Sequence, residues 1–184
     1  MTVPNLLTLS RILLTPLLMW FLIRRRMNEA LVVFFIAGLT DILDGFIARL
    51  YHQKSKFGAI LDPLADKLLL VSSFLMLGHL GLIPWWLVII AVTRDIVIVL
   101  GTSVLFLLRF HIEVRPTVLG KLTTLTQLVS VVLALSSSLA RLAPWSHQLV
   151  FAITALFSIA SGAQYVRKGI SVRRSQLSEG SRKR

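Results

Sequence analysis

The chain of 184 residues contains no cysteine. That absence excludes disulfides, thiolate metal sites and a cysteine nucleophile, and it leaves the redox compartment unspecified. Charge is scarce as well: 15% of the residues are Asp, Glu, Lys or Arg, where soluble domains carry about 25%. Hydrophobic residues make up 55% and the mean hydropathy is +0.80, so the composition excludes an ordinary soluble domain. Internal repeats are missing, and no stretch reads as a separate soluble domain. Scarcest of all is negative charge, with eight acidic residues against 20 basic ones.

What the chain does have is a succession of apolar stretches broken by short basic segments, several reaching the ~20 residues that cross a bilayer. The pattern predicts an all-α integral membrane protein with six transmembrane helices, over 5–23, 29–50, 58–79, 84–108, 118–140 and 146–166. Residues 1–166 form the transmembrane domain and 167–184 a basic cytoplasmic tail. Pro84, Pro116 and Pro144 precede spans four, five and six, where proline fits a first helical turn. Trp85, Trp86 and Trp145 stand beside two of them, as interfacial tryptophans do. The first apolar run holds Arg11, ends at Arg24-Arg25-Arg26 and lacks a small-residue cleavage site, so it reads as a retained helix and not a signal peptide.

Arg49, Lys54 and Lys56 lie between spans two and three; Arg109, Arg115 and Lys121 lie near the link from four to five. Placing them inside puts both termini in the cytoplasm, at the cost of leaving Arg24–Arg26 and Arg141 outside. The formal charge of +12 sits mostly beside the spans. It points to anionic lipid headgroups and to topology, not to nucleic acid.

Five of the eight acidic residues fall inside or at the ends of apolar spans. An aspartate at a helix centre costs roughly 2.5–3.5 kcal/mol on insertion scales, so such residues rarely lack a purpose. Four of them crowd into one stretch, Asp41, Asp44, Asp62 and Asp66. Asp41, Asp44 and Ala48 share one helical face, and Asp62 and Asp66 share a face of the next helix. A short basic link makes the two helices antiparallel neighbours whose acidic ends meet near the cytoplasmic boundary.

Four converging carboxylates cannot all stay ionised in a low-dielectric site without compensation. Oxygen-only ligands with no His or Cys nearby suit Mg²⁺ or Mn²⁺ better than Zn²⁺. Such ions commonly hold phosphates. Gly45, Ala48 and Gly58 leave room for close approach of a substrate, and Arg49 offers a bidentate phosphate contact.

These residues resemble the CDP-alcohol phosphatidyltransferase family. Its signature, D-x2-D-G-x2-A-R-x8-G-x3-D-x3-D, is matched at every position from Asp41 to Asp66. Pro4-Asn5 through Arg11 resembles the family's amphipathic N-terminal lead-in to span one, and the six-span count agrees. The resemblance implies that Asp41, Asp44, Asp62 and Asp66 bind two Mg²⁺ or Mn²⁺ ions. It makes Asp66 the general base toward the acceptor hydroxyl. Asp41, Asp44, Gly45, Ala48, Arg49 and Gly58 accommodate the cytidine nucleotide. The implied reaction is direct attack by an alcohol on the lipid-side phosphorus of CDP-diacylglycerol, with CMP leaving. A homodimer in a bacterial inner membrane, with its site near the cytoplasmic side, is also implied.

The competing class is a small cation or proton transporter using the same carboxylates, although neither the glycines nor Arg49 would be required at these intervals. The acceptor is less sharply marked than the donor. Arg94-Asp95 reads either as a charge pair that eases insertion or as an arginine reaching the acceptor phosphate. Lys121 reads as a snorkelling lysine, or by resemblance as a phosphate ligand; Tyr165 reads as an interfacial anchor or a substrate contact. Gln127 is expected to face the bundle. His52, His79, His111 and His147 lie at span ends without metal-ligand spacing. In phosphatidylglycerophosphate synthases a second arginine follows eight residues after the first, where this chain has Thr102. Thr93-Arg94-Asp95 and Arg115-Pro116-Thr117 with Lys121 resemble the cardiolipin synthases of the family, whereas Ser161-Gly162 through Gly169 resembles the other branch. The acceptor is therefore expected to be of glycerol type, phosphatidylglycerol before glycerol 3-phosphate, bound by Arg94, Arg115, Lys121 and Tyr165.

Overall fold

The computed structural model describes the backbone of residues 3–51, 58–107, 117–136 and 144–182, and the side-chain surroundings of 10–40, 67–101, 117–136 and 145–167. Among these residues the chain is all-helical: α1 Val3–Ile23, α2 Met27–Tyr51, α3 Gly58–His79, α4 Trp85–Leu107, α5 Val118–Ser136 and α6 Pro144–Arg182. The helices follow the six expected apolar stretches closely. At the far end they do not, because α6 runs on through the basic segment to Arg182, past the expected limit at residue 166. No proline follows Pro144, and the added residues are largely Arg, Lys, Gln, Leu and Ser, which a helix tolerates. Of the described helices, Val118–Ser136 and Trp145–Arg167 are long and apolar enough to cross a membrane.

Two tight turns reverse the chain at the same end of the molecule. After α1, Arg25 adopts a left-handed conformation at φ 54°. Its N–H reaches the Leu22 carbonyl at 3.0 Å and the Arg26 N–H reaches the Phe21 carbonyl at 2.9 Å, the paired bonds that close a helix C-terminus. Arg24 and Arg26 lie over the rings of Trp20 and Phe21, and Arg26 also pairs with Glu29 at 2.6 Å. After α3 the same geometry recurs at Gly81, φ 73°, where the Leu82 N–H meets the Leu77 carbonyl at 2.9 Å. Here glycine supplies the left-handed residue at no steric cost.

Packing joins α1 to α2 and α3, and α5 to the same two helices; α4 packs on α3 and α6, and α6 on α5. The order α1, α2, α5, α3 thus closes into a ring, with α2 and α3 facing across it. The side-by-side α2–α3 packing expected from their short link is not among the described contacts. The core gathers Leu18 and Leu22, Ala30, Phe34 and Ala37, Phe74 and Leu77, Leu87 and Ala91, and Val131 and Leu135. Around it the polarity runs opposite to a soluble protein. Arg11, Arg94, Asp95, Gln127, Ser130, Thr154 and Ser158 are buried, whereas Ile23, Val32, Leu39, Ile89, Leu100, Leu156 and Ile159 are exposed. Apolar surface outside and polar groups inside is the distribution a hydrocarbon solvent imposes.

Candidate active site

A buried charged set links three helices. Asp95 of α4, with a side chain 4% exposed, takes two cations on one oxygen: Lys67 Nζ of α3 at 2.5 Å and Arg94 Nη1 at 2.7 Å. Arg94 Nη2 donates to Ser161 Oγ of α6 at 2.9 Å. The guanidinium is therefore gripped at both terminal nitrogens, while Arg94 Nε is buried without a partner. Two cations share one carboxylate, so the set holds a net positive charge. In an apolar interior, such an excess favours an anion.

Two glycines make room for Arg94. A Cβ on Gly162 would lie 3.7 Å from Arg94 Cγ, so the arginine stem passes close along α6. A Cβ on Gly120 would lie 3.2 Å from Thr117 Oγ1, 3.4 Å from Arg94 Nη2 and 3.8 Å from the Tyr165 hydroxyl. Arg94 and Tyr165, two of the expected acceptor residues, thus converge on the first turn of α5. That turn is capped locally, with Thr117 Oγ1 accepting from the Gly120 N–H at 3.1 Å. Lys121 adjoins Gly120 but is exposed. Arg115 lies outside the described residues.

The α5–α6 seam that carries this turn is held by hydroxyls. Thr123 Oγ1 bonds the Phe157 carbonyl at 3.0 Å, Ser130 and Thr154 pair at 2.9 Å, and Thr154 reaches the Thr126 carbonyl at 3.1 Å. Small hydroxyl residues let helices approach closely and give each other partners away from water. Gln127 is buried as expected, but its Oε1 accepts no hydrogen bond. It faces Leu70, Phe74, Ala91 and Asp95 across a tight gap. On the outer side, a groove of about 270 Å³ opens between α3 and α4, lined by Lys67, Leu68, Val71, Asp95, Ile96 and Val99.

The expected metal and nucleotide residues are placed only by their backbone. Asp41, Asp44, Gly45, Ala48 and Arg49 lie in α2, and Gly58, Asp62 and Asp66 in α3; their side chains lie outside the described residues. Their register can be followed. Ala30, Val33, Phe34 and Ala37 of α2 are buried, and positions 41, 44 and 48 follow Ala37 at helical steps of four, three and four. On α3, Leu77, Ser73, Leu70 and Leu69 are buried, and positions 66 and 62 precede Leu70 at helical steps of four. Among the described residues, no group of three or more His, Cys, Asp or Glu could hold a metal ion.

The sequence profile of CDP-alcohol phosphatidyltransferases matches residues 1–160. The chain belongs to that family. Its curated relatives carry two kinds of name. A cardiolipin synthase (CMP-forming) of Rattus norvegicus is 34% identical over 188 residues, covering 91% of this chain and 61% of the relative. A CDP-diacylglycerol–glycerol-3-phosphate 3-phosphatidyltransferase of Aquifex aeolicus is 38% identical over 130 residues, 68% of this chain and 70% of that one. A probable phosphatidylglycerophosphate synthase of Mycobacterium tuberculosis is 34% identical over 176 residues, 90% of this chain and 80% of its own length. The chain spans about three fifths of the rat protein's length, 61%. Membership in a family of membrane enzymes agrees with the inverted polarity of the bundle.

Lys67 is not among the site residues that the sequence pattern marks, and Asp95 stands out there only as the neighbour of Arg94. Nothing in local spacing pairs Lys67 with Asp95, 28 residues away. The available signal was a lone cation one residue beyond the signature and inside an apolar span, which calls for a partner.

Proposed function

We propose that this chain transfers the phosphatidyl group of CDP-diacylglycerol to a glycerol-type acceptor, releasing CMP, as an integral membrane enzyme of six spans. The signature residues Asp41 to Asp66, at helical steps from the buried residues of α2 and α3, carry this reading. The described buried residues of α2 and α3 join one core, and the register of the two helices supports convergence of the four aspartates on one space. An all-oxygen donor set of this kind fits Mg²⁺ or Mn²⁺. When bound, such ions neutralise the diphosphate and stabilise the leaving CMP.

The chain's own residues supply the rest. Asp41, Asp44, Asp62 and Asp66 hold the metal-binding edge, and Gly45, Ala48 and Gly58 leave space for the nucleotide beside Arg49. Asp66 takes the proton from the acceptor hydroxyl as that oxygen bonds to the lipid-side phosphorus and the bond to CMP breaks. Arg94 and Tyr165 bind the acceptor's phosphate at the Gly120 turn, with Lys121 beside it and Arg115 as a further phosphate contact.

Phosphatidylglycerol is the favoured acceptor. Thr102 leaves the second arginine position empty of charge, and one phosphodiester negative charge matches the net charge of the Lys67–Asp95–Arg94 set. Glycerol 3-phosphate is the alternative, supported by relatives named for it. The homodimer and a bacterial inner-membrane location with the site toward the cytoplasm remain part of this proposal.

The test is a product assay. Protein in mild detergent receives CDP-diacylglycerol, Mn²⁺ or Mg²⁺ and one acceptor at a time, and lipid products are read by mass. Cardiolipin from phosphatidylglycerol is expected. Phosphatidylglycerophosphate from glycerol 3-phosphate instead would retain the chemistry and overturn the acceptor. Ion movement in sealed vesicles without CMP release would overturn the reading.

A further inference from the structure

A buried ion pair is weak evidence for stability, because well-packed apolar residues in its place are often neutral or stabilising. The Lys67–Asp95–Arg94 set therefore calls for a reason beyond holding helices together. Its geometry offers one. Neighbours at i and i+1 do not share a helical face, yet Arg94 Nη1 is drawn to Asp95 at 2.7 Å while Nη2 is fixed on Ser161 at 2.9 Å. The fork is thereby locked in orientation, with Gly120 and Gly162 leaving its path clear. Asp95 is itself fixed from α3 by Lys67. Lys67 follows Asp66 directly in the chain. One carboxylate thus connects the turn of α3 carrying the proposed base with the arginine proposed to hold the acceptor.

We propose that Lys67 and Asp95 are positioning residues, which fix the Arg94 phosphate grip relative to the Asp66 turn so that the acceptor hydroxyl, and not water, attacks the donor. The inference rests on the phosphatidyltransferase reading. Both attacks break the same phosphorus–oxygen bond and release CMP. The acceptor yields a new phosphodiester and gives up its hydroxyl proton; water yields phosphatidic acid. A misplaced acceptor leaves room for water, so the ratio of the two products reports alignment. Small displacements of a bound group can cost up to about a hundredfold in rate.

The experiment uses the full chain in lipid nanodiscs with CDP-diacylglycerol and Mn²⁺. Phosphatidylglycerol and glycerol 3-phosphate are varied in separate arms, and CMP, phosphatidic acid and transfer product are all quantified. Lys67→Met keeps the length of the side chain and leaves the Arg94–Asp95 pair in place. It is expected to raise the acceptor KM roughly tenfold and to raise the phosphatidic acid share, with little change in thermal midpoint. Lys67→Arg is expected to restore both. An unchanged KM and product ratio, with only a lowered midpoint, would reduce the pair to a structural one and overturn the proposal. Should Lys67→Met fail to fold, Asp95→Glu keeps the charge and shifts it by one methylene. The same rise in KM and phosphatidic acid is expected there, and wild-type values for both would overturn the proposal. If the wild-type chain releases no CMP with either acceptor, the functional reading itself fails and this inference falls with it.

Discussion

At the residue scale, Gln127 and Asp66 make opposite demands on substitution. Gln127 is buried with an acceptor that nothing satisfies, and such an atom costs about 1–3 kcal/mol in desolvation without return. Methionine fills nearly the same volume, so Gln127→Met is expected to stabilise the protein by about 1 kcal/mol. Thermal unfolding in detergent checks this, and a lower midpoint would show that the glutamine has a partner in the working state. Asp66 is the reverse case. Asp66→Asn keeps the volume and removes the proposed base, so CMP release should fall roughly 10²–10⁴-fold while the midpoint holds. A variant with near-normal turnover would remove Asp66 from the chemistry. The signature aspartates were legible in the sequence because intramembrane carboxylates are costly and their spacing is rigid. The pairing of Lys67 with Asp95 was not, because it depends on how α3 and α4 turn toward each other after a tight reversal at Gly81. Convergence of Arg94 and Tyr165 on Gly120 is likewise a product of three helices, which no single-segment pattern encodes.

At the scale of elements, α3 and α4 meet where Gly78 has no side chain to spare. A Cβ there would stand 2.8 Å from Val88 Cγ2, and Val88 is buried and stiff at χ1. Gly78→Ala is therefore expected to destabilise the hairpin by about 1–3 kcal/mol, despite alanine's better helix propensity. A paired Val88→Ala should recover part of the loss, and its failure to do so would place the strain elsewhere. The turn after α1 invites the opposite change. Arg25 occupies a left-handed conformation that glycine adopts freely, so Arg25→Gly should cost little or gain up to about 1 kcal/mol. Helix positions were legible because apolar runs and their prolines mark each span. The length of α6 was not. Loss of hydropathy near residue 166 marks where a helix leaves an apolar solvent, which is a different property from where its hydrogen bonds stop.

At the scale of the whole molecule, the inverted polarity and the distribution of arginine lead to a test of topology. The exposed surface carries isoleucine, leucine, valine and phenylalanine along α1, α2, α4 and α6, while the charges of α4 face inward. A bundle built this way has a hydrocarbon-facing belt, and its ends must lie at two water interfaces. Trp85, Trp86 and Trp145 are exposed beside the starts of α4 and α6, at the end that also carries Arg24–Arg26. The C-terminal end of α2 and the start of α3, which carry the signature positions, belong to the opposite end. Lysine and arginine counts favour this second end as cytoplasmic, against the pull of three exposed arginines at the first. The chain's lack of cysteine makes the question direct, because single cysteines report without background. In sealed right-side-out vesicles, Arg25→Cys should react with a membrane-impermeant maleimide, while Gln53→Cys should react only after permeabilisation. Reversal of both would turn the molecule over and put the proposed metal site on the outer side. Labelling of both from one side would remove the single crossing by α2 between them, and with it the six-span reading.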